Sequence, residues 1–243
     1  MTPVVAVATA LLFISAPHAE SGQKKEGATR YTFSTLLLPD PTVDRSKTLK
    51  KNDPWLWGKA LPVAAVVLGK PLQLPDTPFI ISGDEPLSIA NSQKLIACQL
   101  KPTVTVGLLG GGKAPICLID RDGDGAFDGW YTSSVPVFWN GETAGHIQAD
   151  DIHSMGPVRP RELRSDELRA LDVGKKFSIR YVHGELTFCI DSNDNYCLER
   201  GAKMHPEPRK QVVAFMNGEF VYRRNEDGKL VISIVRDPKE AVY

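Results

Sequence analysis

The chain has 243 residues, and its 29 Lys and Arg are matched by 29 Asp and Glu, giving a formal net charge of zero. A nucleic-acid binder needs a basic excess to displace counterions from phosphates, so the balance sets nucleic acid aside as a partner. The length suits one large β domain or two small ones.

The first segment bears on compartment. Val4 to Ile14 is apolar, Ser15-Ala16-Pro17-His18-Ala19 is rich in small residues, and the first charge is Glu20. This pattern reads as a signal peptide over residues 1–19, cut after Ala19, and implies a periplasmic or secreted protein. It departs from the usual form in having no Lys or Arg before the apolar run and Pro17 three residues before the cut. The run is too short to cross a bilayer and no other is long enough, so no membrane span is expected. Residues 20–30 are polar and glycine-containing, which reads as a flexible tail.

From Tyr31 onward the signals are strand-like. Tyr31 to Leu38, Leu61 to Leu68, Phe79 to Ser82, Lys94 to Leu100, Thr103 to Leu109 and Ala114 to Ile119 are apolar or β-branched runs parted by Pro, Gly and Asp clusters. Lys50-Lys51, with Lys47 nearby, reads as solvated surface. Trp55-Leu56-Trp57 alternates, so in a regular strand both indoles share one face. That face is a candidate for binding a protein, peptide or glycan ligand. Gly110-Gly111-Gly112-Lys113 is a turn rather than a phosphate loop, because Ala114 follows where Ser or Thr is needed.

Residues 140–164 lose the strand pattern and read as a linker or long loop between an N-terminal β unit (31–139) and a C-terminal one (165–243). A short helix near 165–173 opens the second unit. Ser165 can cap it, Asp166 and Glu167 suit its positive end, Leu168 and Leu171 share a face, and Gly174 can end it. Phe177 to Val182 and Leu186 to Ile190 read as a hairpin around His183-Gly184. Gln211 to Met216, Glu219 to Arg224 and Leu230 to Val235 read as a meander, turning at Asn217-Gly218 and Glu226-Asp227-Gly228. The fold class is therefore mainly β, an antiparallel sandwich or barrel-like set of meanders with one short helix.

Four cysteines, Cys98, Cys117, Cys189 and Cys197, in an exported chain point to two disulfides. Of three possible pairings, locality favours Cys98–Cys117 and Cys189–Cys197. No Cys-x-x-Cys pair is present to hold zinc.

The densest chemistry lies in Asp120-Arg121-Asp122-Gly123-Asp124-Gly125-Ala126-Phe127-Asp128. Carboxylates stand at positions 1, 3, 5 and 9 and a glycine at position 6. Calcium takes six to eight oxygens in irregular geometry. Asp120, Asp122 and Asp124 can converge on one point, Gly125 permits the sharp turn, Ala126 can offer its carbonyl, and Asp128 can act directly or through water. Phe127 should point into the core. So many acids in one bend repel one another unless a cation sits among them, so Ca2+ is the expected cofactor.

These nine residues resemble the calcium loops of EF-hand, dockerin and thrombospondin type 3 repeats. The resemblance departs from the EF-hand at position 12, where Tyr131 replaces the bidentate Glu, and in flanks that read as strands. It implies a calcium staple of weak affinity, about 0.1 to 1 mM, rather than a helix-loop-helix sensor.

A weak internal repeat aligns Ile190 to Glu199 with this segment. Asp191, Asn193, Asn195 and Glu199 hold matching positions, but Tyr196 replaces the glycine. A Cys189–Cys197 bridge would close that turn covalently. Against the reading of a non-catalytic binding or envelope component stands an exported hydrolase using His146, Asp150, Asp151, His153 and Ser154. Their spacing matches no named mechanism, and the nucleophile-elbow, His-Glu-x-x-His and dinucleotide motifs are absent.

Overall fold

The computed structural model describes residues 28–50, 53–101, 103–105, 113–133, 135, 137, 144–173, 175–182, 185–191, 211–227 and 229–242. The described chain is mainly β, every strand pairing is antiparallel, and there is one short α-helix.

A seven-stranded sheet forms the centre, in the order His153–Val158, Phe127–Thr132, Ile116–Ile119, Ile96–Gln99, Leu87–Ile89, Ala65–Val67 and Arg161–Glu162. Its inner strands Ile96–Gln99 and Ile116–Ile119 are buried at every position. Successive side chains point to opposite faces of a strand. Ile96, Cys98, Cys117 and Ile119 accordingly enter one core cluster, while Ala97, Ile116 and Leu118 enter another with Phe127 and Trp130. Burial on both faces explains why these segments are continuous apolar runs rather than alternating ones.

A five-stranded sheet (Glu185–Asp191, Lys176–Val182, Pro54–Pro62, Thr35–Pro39, Ala241–Val242) and a four-stranded one (Gln211–Phe215, Gly218–Arg224, Leu230–Arg236, Ser46–Leu49) pack into the first cluster through residues such as Leu37, Leu61, Phe177, Phe220 and Ile232. Strands from residues 35–62 thus share sheets with strands from residues 176–242, joining the two stretches read as separate β units. A three-stranded sheet of Gly145–Ile147, Thr29–Thr32 and Asn91–Ser92 adds Tyr31 and Ile147 to the same core. Two short two-stranded ladders complete the set.

Local departures from the sequence reading have identifiable causes. The stretch 140–164 carries the strands Gly145–Ile147, His153–Val158 and Arg161–Glu162. The latter two lie at the sheet's edges and bury little, so they leave no apolar alternation to read. The helix is Ser165–Ala170, and Arg164 rather than Ser165 holds the capping position: its amide donates to Glu167 Oε2 at 2.9 Å. The meander turns at Met216-Asn217, not at Asn217-Gly218. Phe215 pairs with Gly218, and both turn residues have positive φ (50° and 53°), as a two-residue hairpin requires. Gly218 is needed as a glycine because Pro238 would lie 2.8 Å from any Cβ there. Meanwhile Met216 buries its side chain.

Cys98 and Cys117 are direct cross-strand partners, 4.0 Å apart at Cα, and form a disulfide. Cys189 is buried and also disulfide-bonded; Cys197 and the turn 192–200 lie outside the described residues. With 19 residues of separation, the Cys98–Cys117 bridge is worth about 3 kcal/mol in the loop-closure description. The double substitution Cys98→Ala/Cys117→Ala is expected to lower unfolding free energy by about that amount in urea denaturation. An unchanged midpoint would mean that the bridge only decorates a core already closed by packing.

Candidate metal centre

The aspartate loop is the connection between the two central strands Ile116–Ile119 and Phe127–Thr132, which pair through Ile119↔Gly129 and Leu118↔Trp130. Both flanks are strands, as the sequence indicates, and Phe127 is fully buried in the second core cluster. The loop therefore starts and ends on rigid, two-sidedly packed backbone. Asp120 continues this order: its amide donates to the Leu95 carbonyl at 2.9 Å, and its side chain is buried.

Within the loop each carboxylate is oriented by backbone amides. Gly123 N and Gly125 N donate to Asp120 Oδ1 and Oδ2 at 2.7 and 2.8 Å. Asp124 N donates to Asp122 Oδ1 at 3.2 Å, and Ala126 N to Asp124 Oδ1 at 2.8 Å. These are Asx-type turns, in which a short acidic side chain folds its own backbone. Gly123 and Gly125 have φ of 82° and 83°, so the coil needs two glycines, of which position 6 alone was legible as a turn residue. The ligand atoms of Asp120, Asp122 and Asp124 all lie within 4.8 Å of one another. Among the described residues this is the one group of three or more His, Cys, Asp or Glu able to hold a metal ion. A carboxylate has about four acceptor positions, so those taken by amides leave room for a cation.

Asp128 belongs to a different arrangement. Arg121 N and Nε donate to its two oxygens at 2.9 and 3.1 Å, while Arg121 Nη2 reaches the Asp128 carbonyl at 3.1 Å and Nη1 reaches Ser154 Oγ at 3.2 Å. Arg121, to which the spacing assigns no role, braces the loop onto strand His153–Val158. Gly129 leaves it room: an added Cβ would lie 3.3 Å from Arg121 Nε and 2.6 Å from Ile152 Cγ2. Two further cations attend the loop. Lys94 Nζ donates to the Arg121 carbonyl at 3.0 Å, and Arg159 Nη2 lies 3.4 Å from Asp124 Oδ2. Ala126 is buried, with its amide committed to Asp124.

Among the described residues, His146, Asp150, Asp151 and His153 form no close group of three or more metal-ligating side chains. His146 is exposed in strand Gly145–Ile147, and Asp150 and Asp151 are exposed in a 3-10 turn. His153 stacks on Trp130 at 4.4 Å between ring centroids, and Ser154 accepts from Arg121. Trp55 and Trp57 do not share a face. Leu56 sits in a bulge, with φ of 44° and no partner between Ser178↔Trp57 and Ile179↔Trp55. The extra residue breaks the period of two. Trp55 and Leu56 are both buried, and Trp57 is turned out.

The site thus defines a disulfide-bonded, mainly β chain with a preorganised tri-aspartate hairpin loop. No protein-family model, curated protein or solved structure matches the chain.

Burial opposes charge on Asp120, but the Gly125 and Gly123 amides, with Asp122 and the Asp124 amide beside them, outweigh it and hold its carboxyl below the ordinary 3.8. A depressed carboxyl pKa contributes stability that is complete above the unfolded value and lost as pH falls through the lower folded value. In chelator, wild type should therefore lose more stability than Asp120→Asn as pH drops below about 4. At neutral pH, Asp120→Asn is expected to cost about 1 to 3 kcal/mol, because the Asn NH2 group replaces one of the two oxygens that accept from Gly123 and Gly125. Denaturant titrations across pH check both; superimposable pH profiles would contradict this role for Asp120.

Proposed function

We propose that this chain is an exported, calcium-binding β protein that acts by binding, as a non-catalytic component of the periplasm or cell envelope or as a secreted protein. The observation that carries the calcium reading is the convergence of Asp120, Asp122 and Asp124, oriented in advance by the loop's own amides. Three hard oxygen donors in a small hairpin suit a hard divalent cation. The Ala126 carbonyl and water would supply the remaining oxygens, while Asp128, held by Arg121, would brace the loop rather than meet the ion. The bound ion would neutralise the acidic bend and fasten the hairpin at the end of the central sheet.

Two features support weak affinity, in the range of about 0.1 to 1 mM found in extracellular modules. Tyr131, at the position of the bidentate Glu in EF-hands, is buried and is not a carboxylate. Arg159 beside Asp124 offers a positive charge that an incoming ion must displace. The buried Cys98–Cys117 bridge supports export, since disulfides persist in oxidising compartments.

The test is thermal unfolding with about 10 mM calcium against chelator. Binding at the stated affinity stabilises by about 1.4 to 2.7 kcal/mol, a rise of roughly 3 to 10 °C for a chain of this size. Asp122→Asn/Asp124→Asn should abolish the rise while leaving the melt in chelator within a few degrees. Melting indifferent to calcium would overturn the reading. Arg159→Gln is expected to tighten calcium by up to about fivefold, the range of an exposed ion pair, measured by isothermal titration; weaker binding would mean that Arg159 supports the loop rather than competing for it.

A further inference from the structure

We propose that the open face of the five-stranded sheet around Trp57 binds an anionic sugar. This names a ligand class for the binding role above, and the exported setting in that proposal favours an acidic glycan over a nucleotide.

The bulge at Leu56 has a consequence for the surface. It turns Trp57 outward, leaving this large apolar ring 49% exposed. Trp57 lines a cavity of about 540 Å³ with Leu38, Pro39, Pro41, Lys59 and Lys176, a size suited to a small ligand. Gly58 permits the strands to close behind it, since a Cβ there would lie 2.0 Å from the Leu38 carbonyl oxygen. The register then sets Leu38, Lys59 and Lys176 side by side across three strands, with Trp57 two residues from Lys59 on the same face.

Lys59 and Lys176 are direct cross-strand partners, and both are exposed. Like charges placed opposite each other repel; Asp40 and Asp191 offset this on the Lys176 side, and Lys59 is the end of the pair left for an anion to meet. Arg169 on the helix is a third cation of the cavity, its charge shared with Glu240 at 2.6 Å. The one acid of the cavity is Asp40, whose Oδ1 accepts from the Thr42 amide and hydroxyl at 2.8 and 2.6 Å. On its far side Lys176 faces Asp191 in register. With Arg169 shared with Glu240 and Lys176 flanked by Asp40 and Asp191, the exposed Lys59 beside Trp57 is the cation that favours a negatively charged group on the occupant.

The indole supplies the rest of the recognition. Its ring face carries negative quadrupolar charge, which attracts the slightly positive C–H groups on the flat face of a pyranose. A uronate stacked on Trp57 could place its carboxylate between Lys59 and Lys176. A neutral proline-rich peptide could use Trp57 and the prolines, but it would offer Lys59 no negative charge.

The experiment is an NMR titration of the full chain, following the backbone amides of Gly58 and Lys59, which every variant keeps, with a hyaluronan hexasaccharide as the acidic probe. Chitohexaose serves as the neutral sugar and adenosine monophosphate as the nucleotide, each in calcium and in chelator. The acidic hexasaccharide should bind in both conditions, at least tenfold tighter than chitohexaose. Trp57→Ala and Lys59→Gln/Lys176→Gln should each weaken it at least tenfold without moving the thermal midpoint by more than a few degrees. Lys59→Gln alone, at an exposed position, provides a milder variant that should weaken it at least threefold. Equal binding of the neutral sugar, tighter binding of the nucleotide, or full binding by Trp57→Ala would overturn the proposal. Because the arms run with and without calcium, its failure is separable from failure of the calcium reading.

Discussion

Asp120 directly follows a strand buried on both faces, and two amides of its loop, from Gly123 and Gly125, donate into its carboxylate. The rest of the hairpin depends on this. The buried strand fixes where the carboxylate stands, and the carboxylate in turn fixes how the loop coils. A buried charge is tolerable only when its oxygens are satisfied, so the loop's path and the ionisation of Asp120 stabilise each other. Asp122 and Asp124 repeat the same device one turn later with amides of their own.

The surroundings are built from the same constraint. A cluster of like charges must be offset, and the chain does so with side chains from three directions. Arg121 turns back to hold Asp128 and Ser154, Arg159 approaches Asp124 from beyond strand His153–Val158, and Lys94 fastens the Arg121 carbonyl. These contacts are mostly solvent-exposed and individually worth little. They do not neutralise Asp122, which is the opening that a divalent ion would fill. On the opposite side of the strand pair from Leu118 and Trp130, the Cys98–Cys117 bridge locks the register three residues before Asp120.

Much of the hairpin's chemistry was legible because it is local. Asx turns and positive-φ glycines act over two to five residues, so Asp120, Asp122, Asp124 and Gly125 stand out from spacing alone. The continuous apolar runs around Cys98 and Cys117 likewise signalled buried strands. What could not be read is long-range. Arg159 meets Asp124 across 35 residues, and Ser46–Leu49 joins Leu230–Arg236 from the far end of the chain. The Leu56 bulge was hidden for another reason. A leucine at positive φ carries no compositional mark, so alternation wrongly put Trp55 and Trp57 on one face. Arg121 lay inside the motif yet went unassigned, because its partners are fixed by the strand register and not by the spacing of the loop.

On the proposed reading, the bend at Asp120 to Asp124 takes up calcium. This is tested most directly by following the Gly123 and Gly125 amide resonances during a calcium titration of the full chain. Calcium binding at the bend should give saturable shifts at these two amides, with a midpoint of about 0.1 to 1 mM, lost in Asp124→Asn. Amides that stay in place through about 10 mM calcium, or shifts confined to other parts of the molecule, would contradict it.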